Sequence, residues 1–270
     1  MAPSFSSIPV ALTIAGSDCS SGAGIQADLK TFSALGVHGL TALTCVVSET
    51  AAVVEEVLPL PPEFVGAQIA LLARSFPLAA IKTGMLFSAA HITTVADAVR
   101  GQHCPLVVDP VMMASTGAPL IEADAIALYR DVLLPMAAVI TPNLDEAGEL
   151  LGGRNIRRED LRDAAAELAL RFGTAVLLKG GHLRDGRATD VLAAGGSIIE
   201  FDDVYVDGVS THGTGCTYSA AIAAHLARGL SLVEAVGAAK IFITRAIRGS
   251  FAWTTAAGRI EALDQIQRQP

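Results

Sequence analysis

The stretch Thr211-His212-Gly213-Thr214-Gly215-Cys216-Thr217-Tyr218-Ser219 decides how the last third of the chain is expected to fold. An alanine-rich segment, residues 220–227, follows it, and Gly229 lies just beyond as a typical helix stop. The glycines therefore precede the first turn of a predicted helix, where backbone N–H groups and the helix dipole attract an anion. A phosphate would suit this loop. Gly, Thr and Ser also cap helices that bind no ligand, so the loop alone leaves both interpretations open.

Composition predicts a large core and argues against several classes of protein. Of the 270 residues, 51% are hydrophobic, mainly alanine, leucine and valine, as expected for a sheet covered on both faces. No uninterrupted apolar run reaches about eighteen residues, so we predict no membrane span. The net charge of −8 and the sequence pI of about 5.2 argue against a nucleic-acid partner.

Cysteine spacing and the first residues predict where the protein works. Cys19, Cys45, Cys104 and Cys216 show neither a C-x-x-C pair nor a zinc spacing, so we expect free thiols. The first seven residues contain no basic region followed by an apolar stretch, which argues against a secretory signal. Together these features predict a protein of the reducing cytoplasm.

Short apolar runs alternate with segments of helical periodicity along the chain. Residues 10–15 predict a strand, 16–23 a turn-rich loop and 24–35 a helix. Further strands are predicted at 39–47, 53–58, 79–82, 106–108, 138–140, 175–178, 190–193 and 198–201, and helices at 62–74, 88–99, 122–134, from about 145, and 158–172. Such alternation is typical of an α/β fold with a mostly parallel sheet and right-handed crossovers. We expect one domain over residues 9–265, with residues 1–8 and those after Asp264 loosely held.

Polar side chains follow four of the predicted strands: Lys82, Asp109, the group Thr141 to Glu146, and Lys179. Ligands of open α/β sheets bind at the carboxyl ends of the strands. Each of these residues alone could simply mark a chain leaving the core. Together they supply carboxylates for Mg²⁺ and a cation for phosphate, beside the anion-binding loop, and this combination favours phosphoryl transfer.

Five motifs follow one another along the chain: Ala15-Gly16-Ser17-Asp18 with 22–31, Val108-Asp109-Pro110-Val111-Met112, Thr141-Pro142-Asn143-Leu144-Asp145-Glu146-Ala147, Leu178-Lys179-Gly180-Gly181-His182, and 211–216. In this order they resemble the motifs of the hydroxymethylpyrimidine/phosphomethylpyrimidine kinases, thiamine-pathway enzymes of the ribokinase-like superfamily, and the resemblance runs from about Val10 to Ile247. The resemblance implies a three-layer ribokinase-like α/β fold with helices on both faces of the sheet. It also implies ATP as cosubstrate with Mg²⁺, a small pyrimidine substrate and a homodimer.

The resemblance also assigns roles to individual residues. As catalytic residues it implies Gly213 and Gly215 in the anion hole, Cys216 facing the hydroxymethyl group, and Lys179 near the phosphates. Around the pyrimidine it implies Gly16, Ala23, Asp28, Ser48 and Val111. For ATP it implies Asn143, Lys179, Thr211, Thr214 and Gly215, and for Mg²⁺ it implies Asp109 and Glu146.

Cys216 takes the place where related sugar kinases have an aspartate base. A thiol has a pKa near ~8.5, and a helix N-terminus lowers it, so we expect some thiolate at neutral pH. A loose transition state tolerates a weak base. The alternative is a small buried residue at a helix start. We expect Cys216→Ala to lower turnover sharply, and Gly213→Val to block it by filling the anion hole without disturbing the fold.

The chain departs from the family pattern at two places, which bear on the substrate. Where a glutamine usually reads the pyrimidine, this chain has Val46-Val47-Ser48-Glu49-Thr50, and Ser48 is assigned to the glutamine position. Glu49 could reach an aminopyrimidine instead, although a loop carboxylate ordinarily faces water. The first loop reads Cys19-Ser20-Ser21-Gly22 in place of a double glycine. The alternatives are therefore a pyridoxal kinase on the same fold and, in another class, a non-catalytic ligand-binding homologue.

Overall fold

The computed structural model describes residues 8–113, 121, 125–181, 186–209, 212–255 and 258–267. Its strands are β1 (Val10–Asp18), β2 (His38–Thr50), β3 (Val53–Pro59), β4 (Leu78–Thr83), β5 (Leu106–Val108), β6 (Val139–Ile140), β7 (Ala175–Lys179), β8 (Arg187–Ala194), β9 (Ser197–Val204), β10 (Phe251–Thr255) and β11 (Gly258–Ala262). Its α-helices are α1 (Gly24–Ala34), α2 (Pro62–Ser75), α3 (Ala89–Val99), α4 (Ala125–Leu128), α5 (Leu144–Leu150), α6 (Leu161–Phe172), α7 (Thr214–Ala227) and α8 (Leu232–Arg248).

Nine of the described strands form one sheet in the order β3-β2-β1-β4-β5-β6-β7-β8-β9, and β10 and β11 form a separate hairpin. The six central strands, in the spatial order β2-β1-β4-β5-β6-β7, pair in parallel. Antiparallel pairing adds β3 at one edge and β8 and β9 at the other. The predicted mostly parallel sheet is confirmed.

Alternate residues of the strands point to two apolar layers, so the fold has three layers, as predicted. Leu12 of β1 packs in a cluster with side chains of α2, α3 and α6. Its neighbour Ala11 packs on the opposite face with α7 and α8. Because α7 contacts the sheet, α1 and α8, residues 220–224 are all completely buried, which is why this helix is so rich in alanine. Small side chains let the surrounding elements approach the helix closely.

The sheet has a topological switch point at β1. From β1 the chain passes through α1 to β2 on one side, and later returns through α2 to β4 on the other side. Phe32 of α1 belongs to the layer of α7, whereas Val65 and Ile69 of α2 belong to the opposite layer. The loops after β1 and β4 therefore diverge and leave a crevice at the carboxyl ends of the strands, where ligands of such sheets bind.

The structure corrects three predicted boundaries. Strand β2 continues to Thr50, three residues beyond the end of the strand predicted at 39–47. The helix predicted at 122–134 is α4 followed by a π-helical turn, Tyr129–Leu133, and a 3₁₀ turn, with residues 122–124 outside the described part. Pro135 lies in the first turn of the 3₁₀ segment, where its missing N–H costs no hydrogen bond. Gln265, predicted to be loose, is buried and donates hydrogen bonds to the Gly22 carbonyl and Thr217 Oγ1.

Candidate active site

A cavity of about 760 Å³ lies at the carboxyl ends of the parallel strands. Seven of the predicted catalytic, ATP and metal residues line it together: Asp109, Asn143, Glu146, Lys179, Gly213, Gly215 and Cys216. Thr214, Gly16, Ala23 and Val111 line it as well, whereas Thr211 and the motif residue His182 lie outside the described residues. The strand order places Gly16, which belongs to β1, near one end of this cleft and β9 at the other end. Residues from five separate motifs therefore share one cleft.

Asp109 is the centre of a buried polar network. It follows β5, is only 1% exposed, and accepts hydrogen bonds on Oδ1 from Thr141 Oγ1 (3.0 Å) and Lys179 Nζ (2.9 Å). Its Oδ2 accepts from Ser219 Oγ of α7 (3.1 Å). Burial raises the pKa of this carboxyl, but the ammonium groups of Lys179 and Lys82 outweigh it and lower the pKa. Asp109 is thus a charged residue that fixes Lys179 at the cleft.

Glu146 and Asn143 form the start of α5. Asn143 Oδ1 accepts from the Glu146 backbone N–H (2.9 Å), and Glu146 Oε2 accepts from the Asn143 backbone N–H (2.8 Å), which is a capping box. Burial raises the pKa of Glu146 to about 7, against the opposing effect of the Lys179 ammonium. The capping box holds this carboxylate at the cleft that Asp109 and Lys179 also line.

The oxygen atoms at this place fit a magnesium ion that keeps several waters. Among the described residues, no group of three or more His, Cys, Asp or Glu side chains is arranged to enclose a metal. Mg²⁺ is commonly held by one or two carboxylates, with water and substrate phosphates as its other ligands. Asp109 and Glu146 supply such a pair, and the three hydrogen bonds on Asp109 favour contact through water.

The glycine loop presents uncapped helix amides to the cleft. The N-cap residue of α7, Gly213, has no side chain that could cap the helix, so the first N–H groups are left for a ligand. The buried hydroxyl of Thr214 has no hydrogen-bond partner within the described part of the chain. A Cβ atom on Gly215 would lie 3.2 Å from Lys179 Nζ, so this residue faces the Lys179–Asp109 pair. These features favour the anion-binding interpretation over a plain helix cap.

Gly213 has a different task from Gly215. Its φ of +79° is left-handed, and a Cβ there would collide with the Gly22 carbonyl oxygen in the loop after β1. Only glycine permits both this conformation and this close approach. The prediction that Gly213→Val would fill the anion hole in an intact fold is therefore wrong, because the side chain would separate two loops.

Asp18 organises the β1–α1 loop and joins it to the glycine loop. Its Oδ1 accepts from the Ser20 backbone N–H (2.7 Å), and its Oδ2 accepts from those of Gly22 (3.0 Å) and Ala23 (2.8 Å). Oδ2 also contacts His212 Nε2 at 3.0 Å. Burial raises the pKa of Asp18, but these hydrogen bonds, that of His212 foremost, lower it to about 2. The sequence motif contained Asp18 and His212, but only the structure shows them paired.

We expect Asp18→Asn to lower the free energy of unfolding by about 2 kcal/mol at pH 7, since the shift of nearly two pKa units is worth about 1.4 kcal/mol per unit. A lowered pKa in the folded state stabilises the protein above pH ~4, and this contribution is lost as the pH falls towards 2. Urea unfolding should therefore show the same difference at pH 7 and pH 5 and a smaller one at pH 3. Asp97→Asn, in an exposed pair with Arg100, is the control and should change little. A difference that is constant with pH would contradict this prediction.

Cys216 does not have the lowered thiol pKa that the sequence predicted. Burial raises its pKa, and although Lys82 opposes this, the charges of Asp28 and Asp109 add to the increase, to about 11. The positive end of α7 does not compensate for this environment. The thiol therefore keeps its proton at neutral pH, which favours a role in positioning over one as a thiolate base.

Alkylation by iodoacetamide should test this thiol directly. We expect the rate at Cys216, taken as the difference between wild type and Cys216→Ser, to keep rising up to pH 10, because thiolate is the reactive form. The subtraction removes the contribution of the other cysteines, which are also free. A rate that levels off near pH 8 would show that the pKa is not raised.

Two residues predicted to contact the pyrimidine are not exposed to the cleft. Asp28 is fully buried, bonded to Lys82 Nζ (2.8 Å) and Thr13 Oγ1 (2.5 Å). Ser48 is exposed on the other face of β2, with Oγ 3.4 Å from Glu55. The alternation of β2 brings Glu49 to the cleft instead. The sequence analysis gave Glu49 only as the alternative to Ser48, because it ended the strand before Ser48.

A second buried pair at the cleft was also missed. Lys240 of α8 donates to Asp190 Oδ2 (2.6 Å) of β8, and both residues line the cavity near its β9 end. Asp190 Oδ1 in turn accepts from the Gly180 backbone N–H, which follows Lys179. Apolar side chains of Val204, Val206 and Ile243 line the same end. No sequence spacing joins Lys240 to Asp190, because 50 residues separate them.

Comparison with known proteins agrees with this geometry. The family model described as phosphomethylpyrimidine kinase matches residues 18–261. A hydroxymethylpyrimidine/phosphomethylpyrimidine kinase of Rhizobium meliloti (strain 1021) is 45% identical over 88% of this chain and 90% of its own length. The ADP complex of Bacillus subtilis pyridoxal kinase superposes with a TM-score of 0.86 at 37% identity, covering 97% of this chain and 99% of that one. A phosphomethylpyrimidine kinase structure from Clostridium difficile 630 gives 0.77 at 38% identity, over 88% and 99%.

Proposed function

Because this chain belongs to the phosphomethylpyrimidine kinase family, we propose that it transfers phosphate from ATP to 4-amino-5-hydroxymethyl-2-methylpyrimidine in thiamine biosynthesis. We further propose that it phosphorylates the resulting monophosphate to the diphosphate. One observation carries the proposal: Lys179, held by Asp109, lies directly beside Gly215 of the glycine loop, in a cleft that Glu146 also lines. A cation, an anion cradle and a metal-binding carboxylate are what phosphoryl transfer requires.

In the proposed reaction, the hydroxymethyl oxygen bonds to the γ-phosphorus while the bond between that phosphorus and the β–γ bridging oxygen breaks. The Lys179 ammonium and the amides at the start of α7 neutralise the phosphoryl oxygens, and Thr214 offers its hydroxyl. Mg²⁺, held through Glu146, Asn143 and Asp109, would supply further positive charge at the phosphates. The protonated Cys216 thiol positions the acceptor hydroxyl. The hydroxyl proton leaves late, because the transition state is loose, and passes to an oxygen of the transferred phosphoryl group.

We propose that the adenosine part of ATP lies at the β9 end of the cleft, against Val204, Val206 and Ile243. The pyrimidine then takes the opposite end, near Gly16, Ala23 and Val111, with the glycine loop between the two. Structural similarity to the ADP complex of a pyridoxal kinase supports a nucleotide in this cleft.

Pyridoxal kinase activity is the second candidate. Of the two structures compared above, the Bacillus subtilis pyridoxal kinase superposes with a higher TM-score than the Clostridium difficile phosphomethylpyrimidine kinase. Turnover with ATP and Mg²⁺ should be compared for the aminopyrimidine and pyridoxal at equal concentrations, and mass spectrometry should identify mono- and diphosphate products. A preference for pyridoxal above about tenfold would overturn our choice. The absence of ATP consumption with either substrate in the presence of Mg²⁺ would instead favour a non-catalytic homologue.

We also propose a single kinase domain over residues 9–265 that forms a homodimer in the cytoplasm. In the parts of the chain that the structure describes, no helix is long and apolar enough to cross a membrane. Sedimentation analysis of the purified protein tests the dimer.

A further inference from the structure

A buried ion pair lies beneath the cleft, between Lys82 of β4 and Asp28 of α1. Both side chains are completely buried, and Lys82 Nζ donates to both carboxylate oxygens of Asp28, at 3.0 Å and 2.8 Å. Thr13, the residue of β1 that pairs with Lys82 in the parallel register, donates to the same carboxylate (2.5 Å). The pair therefore joins α1 to two central strands at the switch point of the sheet.

Both members of this pair keep their charge. Burial alone would lower the pKa of Lys82, but the Asp28 carboxylate outweighs burial and raises the pKa, so the ammonium group keeps its proton. Burial raises the pKa of Asp28, while the ammonium group and the Thr13 hydroxyl oppose it and favour the carboxylate. A buried ion pair is often no more stabilising than well-packed apolar side chains of similar volume. Stability alone therefore does not explain why these two charges lie under the cleft.

The pair acts on the Cys216 thiol. Helix α7, which carries Cys216 in its first turn, packs against both α1 and β4. Burial raises the pKa of the thiol, and the strongest opposing influence is the Lys82 ammonium, which outweighs the increase caused by Asp28. The ammonium group is therefore the end of the pair that is directed towards the thiol. The Gly24 backbone N–H, one helical turn before Asp28 in α1, also interacts with the sulfur.

We propose that Lys82 and Asp28 are positioning residues that orient the Cys216 thiol from beneath the cleft. This inference rests on the proposed function, in which Cys216 positions the acceptor hydroxyl. The ion pair fixes α1 to the sheet, so that Gly24 presents its N–H to the sulfur, and the ammonium group attracts the negative end of the S–H dipole. With both groups on one side of the sulfur, the S–H hydrogen turns to the other side, towards the cleft. There it donates to the acceptor hydroxyl oxygen and leaves the hydroxyl hydrogen free to point at the phosphoryl group.

The double variant Lys82→Met/Asp28→Asn tests the proposal, because it removes both charges at nearly constant volume and leaves no unpaired charge. We expect kcat with the aminopyrimidine to fall about tenfold or more, since a small misplacement of a positioning group is costly. The KM for ATP should stay within about threefold, because both side chains are buried away from the nucleotide. If this variant does not fold, Lys82→Met/Asp28→Leu carries the same expectations.

The same double substitution should be made in the Cys216→Ala background. Residues that act as a unit have non-additive effects, so we expect kcat to change there by less than about twofold. A tenfold fall that persists without the thiol would show that the pair does not act through Cys216, and would overturn the inference.

Alkylation of Cys216 by iodoacetamide at pH 9, followed by mass spectrometry, separates this role from a merely structural one. Removing the pair removes the cation that favours the thiolate, so the double variant should be alkylated about threefold or more slowly than wild type. A pair that only holds the fold together would, once removed, leave the rate unchanged or raise it by exposing the thiol. Either of these results would overturn the proposal.

Arg162→Met/Glu200→Gln is the control, since these two residues form an ion pair at the surface. Its kcat and its Cys216 alkylation rate should stay at the wild-type values. Wild-type protein that phosphorylates pyridoxal and not the aminopyrimidine would overturn the proposed function. The alkylation rates do not depend on turnover, so they would still decide the role of Lys82 and Asp28.

Discussion

Replacing Lys179 with methionine should lower kcat by about a hundredfold to a thousandfold. Lys179 Nζ is the cation that faces Gly215 and the start of α7, and removing one preorganised donor to a developing charge typically costs about this much. The substitution also leaves Asp109 as an unpaired buried charge. Breaking such a buried pair costs about 3–5 kcal/mol, so we expect urea unfolding at a distinctly lower concentration. Both kcat and the free energy of unfolding should be measured.

The double variant Lys179→Met/Asp109→Asn distinguishes lost chemistry from lost stability. Neutralising Asp109 removes the unpaired charge, so unfolding should return towards the wild-type midpoint, while turnover stays low. Arg154→Met is a suitable control for loss of a surface cation, since Arg154 pairs with Glu167 at an exposed site. Recovery of turnover in the double variant would show that Lys179 matters only for the fold.

Valine at Gly215 should mainly lower turnover, whereas valine at Gly213 should also lower stability. At Gly215 the side chain would occupy the space beside Lys179 Nζ, so we expect kcat to fall about a hundredfold or more. The backbone of Gly215 is helical and has no positive φ, and valine is no worse than glycine within a helix. The free energy of unfolding should therefore stay within about 1 kcal/mol of wild type.

At Gly213 the same substitution should mainly cost stability. A left-handed backbone costs a residue with a side chain about 1–2 kcal/mol, and the collision with the Gly22 carbonyl adds to this. We expect early urea unfolding, with turnover lost because the two loops separate. Kinetics and urea unfolding of both variants provide the comparison. Equal losses of stability at the two positions would contradict the separate roles given to these glycines.

The sequence alone determined the class of fold and predicted many of the polar residues that line the cleft. The alternation of strand and helix periodicity predicts a parallel sheet, because right-handed crossovers connect its strands. In such a sheet the carboxyl ends of the strands lie at the same edge. Polar residues at those ends, such as Asp109 and Lys179, were therefore predictable as neighbours. The alanine-rich start of α7 was likewise readable, because backbone geometry and helix propensity are local properties.

Only the tertiary structure decided which of these groups face the ligand and in which charge state. The Cys216 pKa depends on burial and on Asp28 and Asp109, which are remote in sequence, so a local rule about helix starts gave the wrong direction. Side chains alternate between the two faces of a strand, and β2 continues as far as Thr50. For this reason the side chain of Glu49, and not that of Ser48, reaches the cleft. Side-chain direction and electrostatics are sums over neighbours from the whole fold, and the order of residues along the chain does not contain those neighbours explicitly.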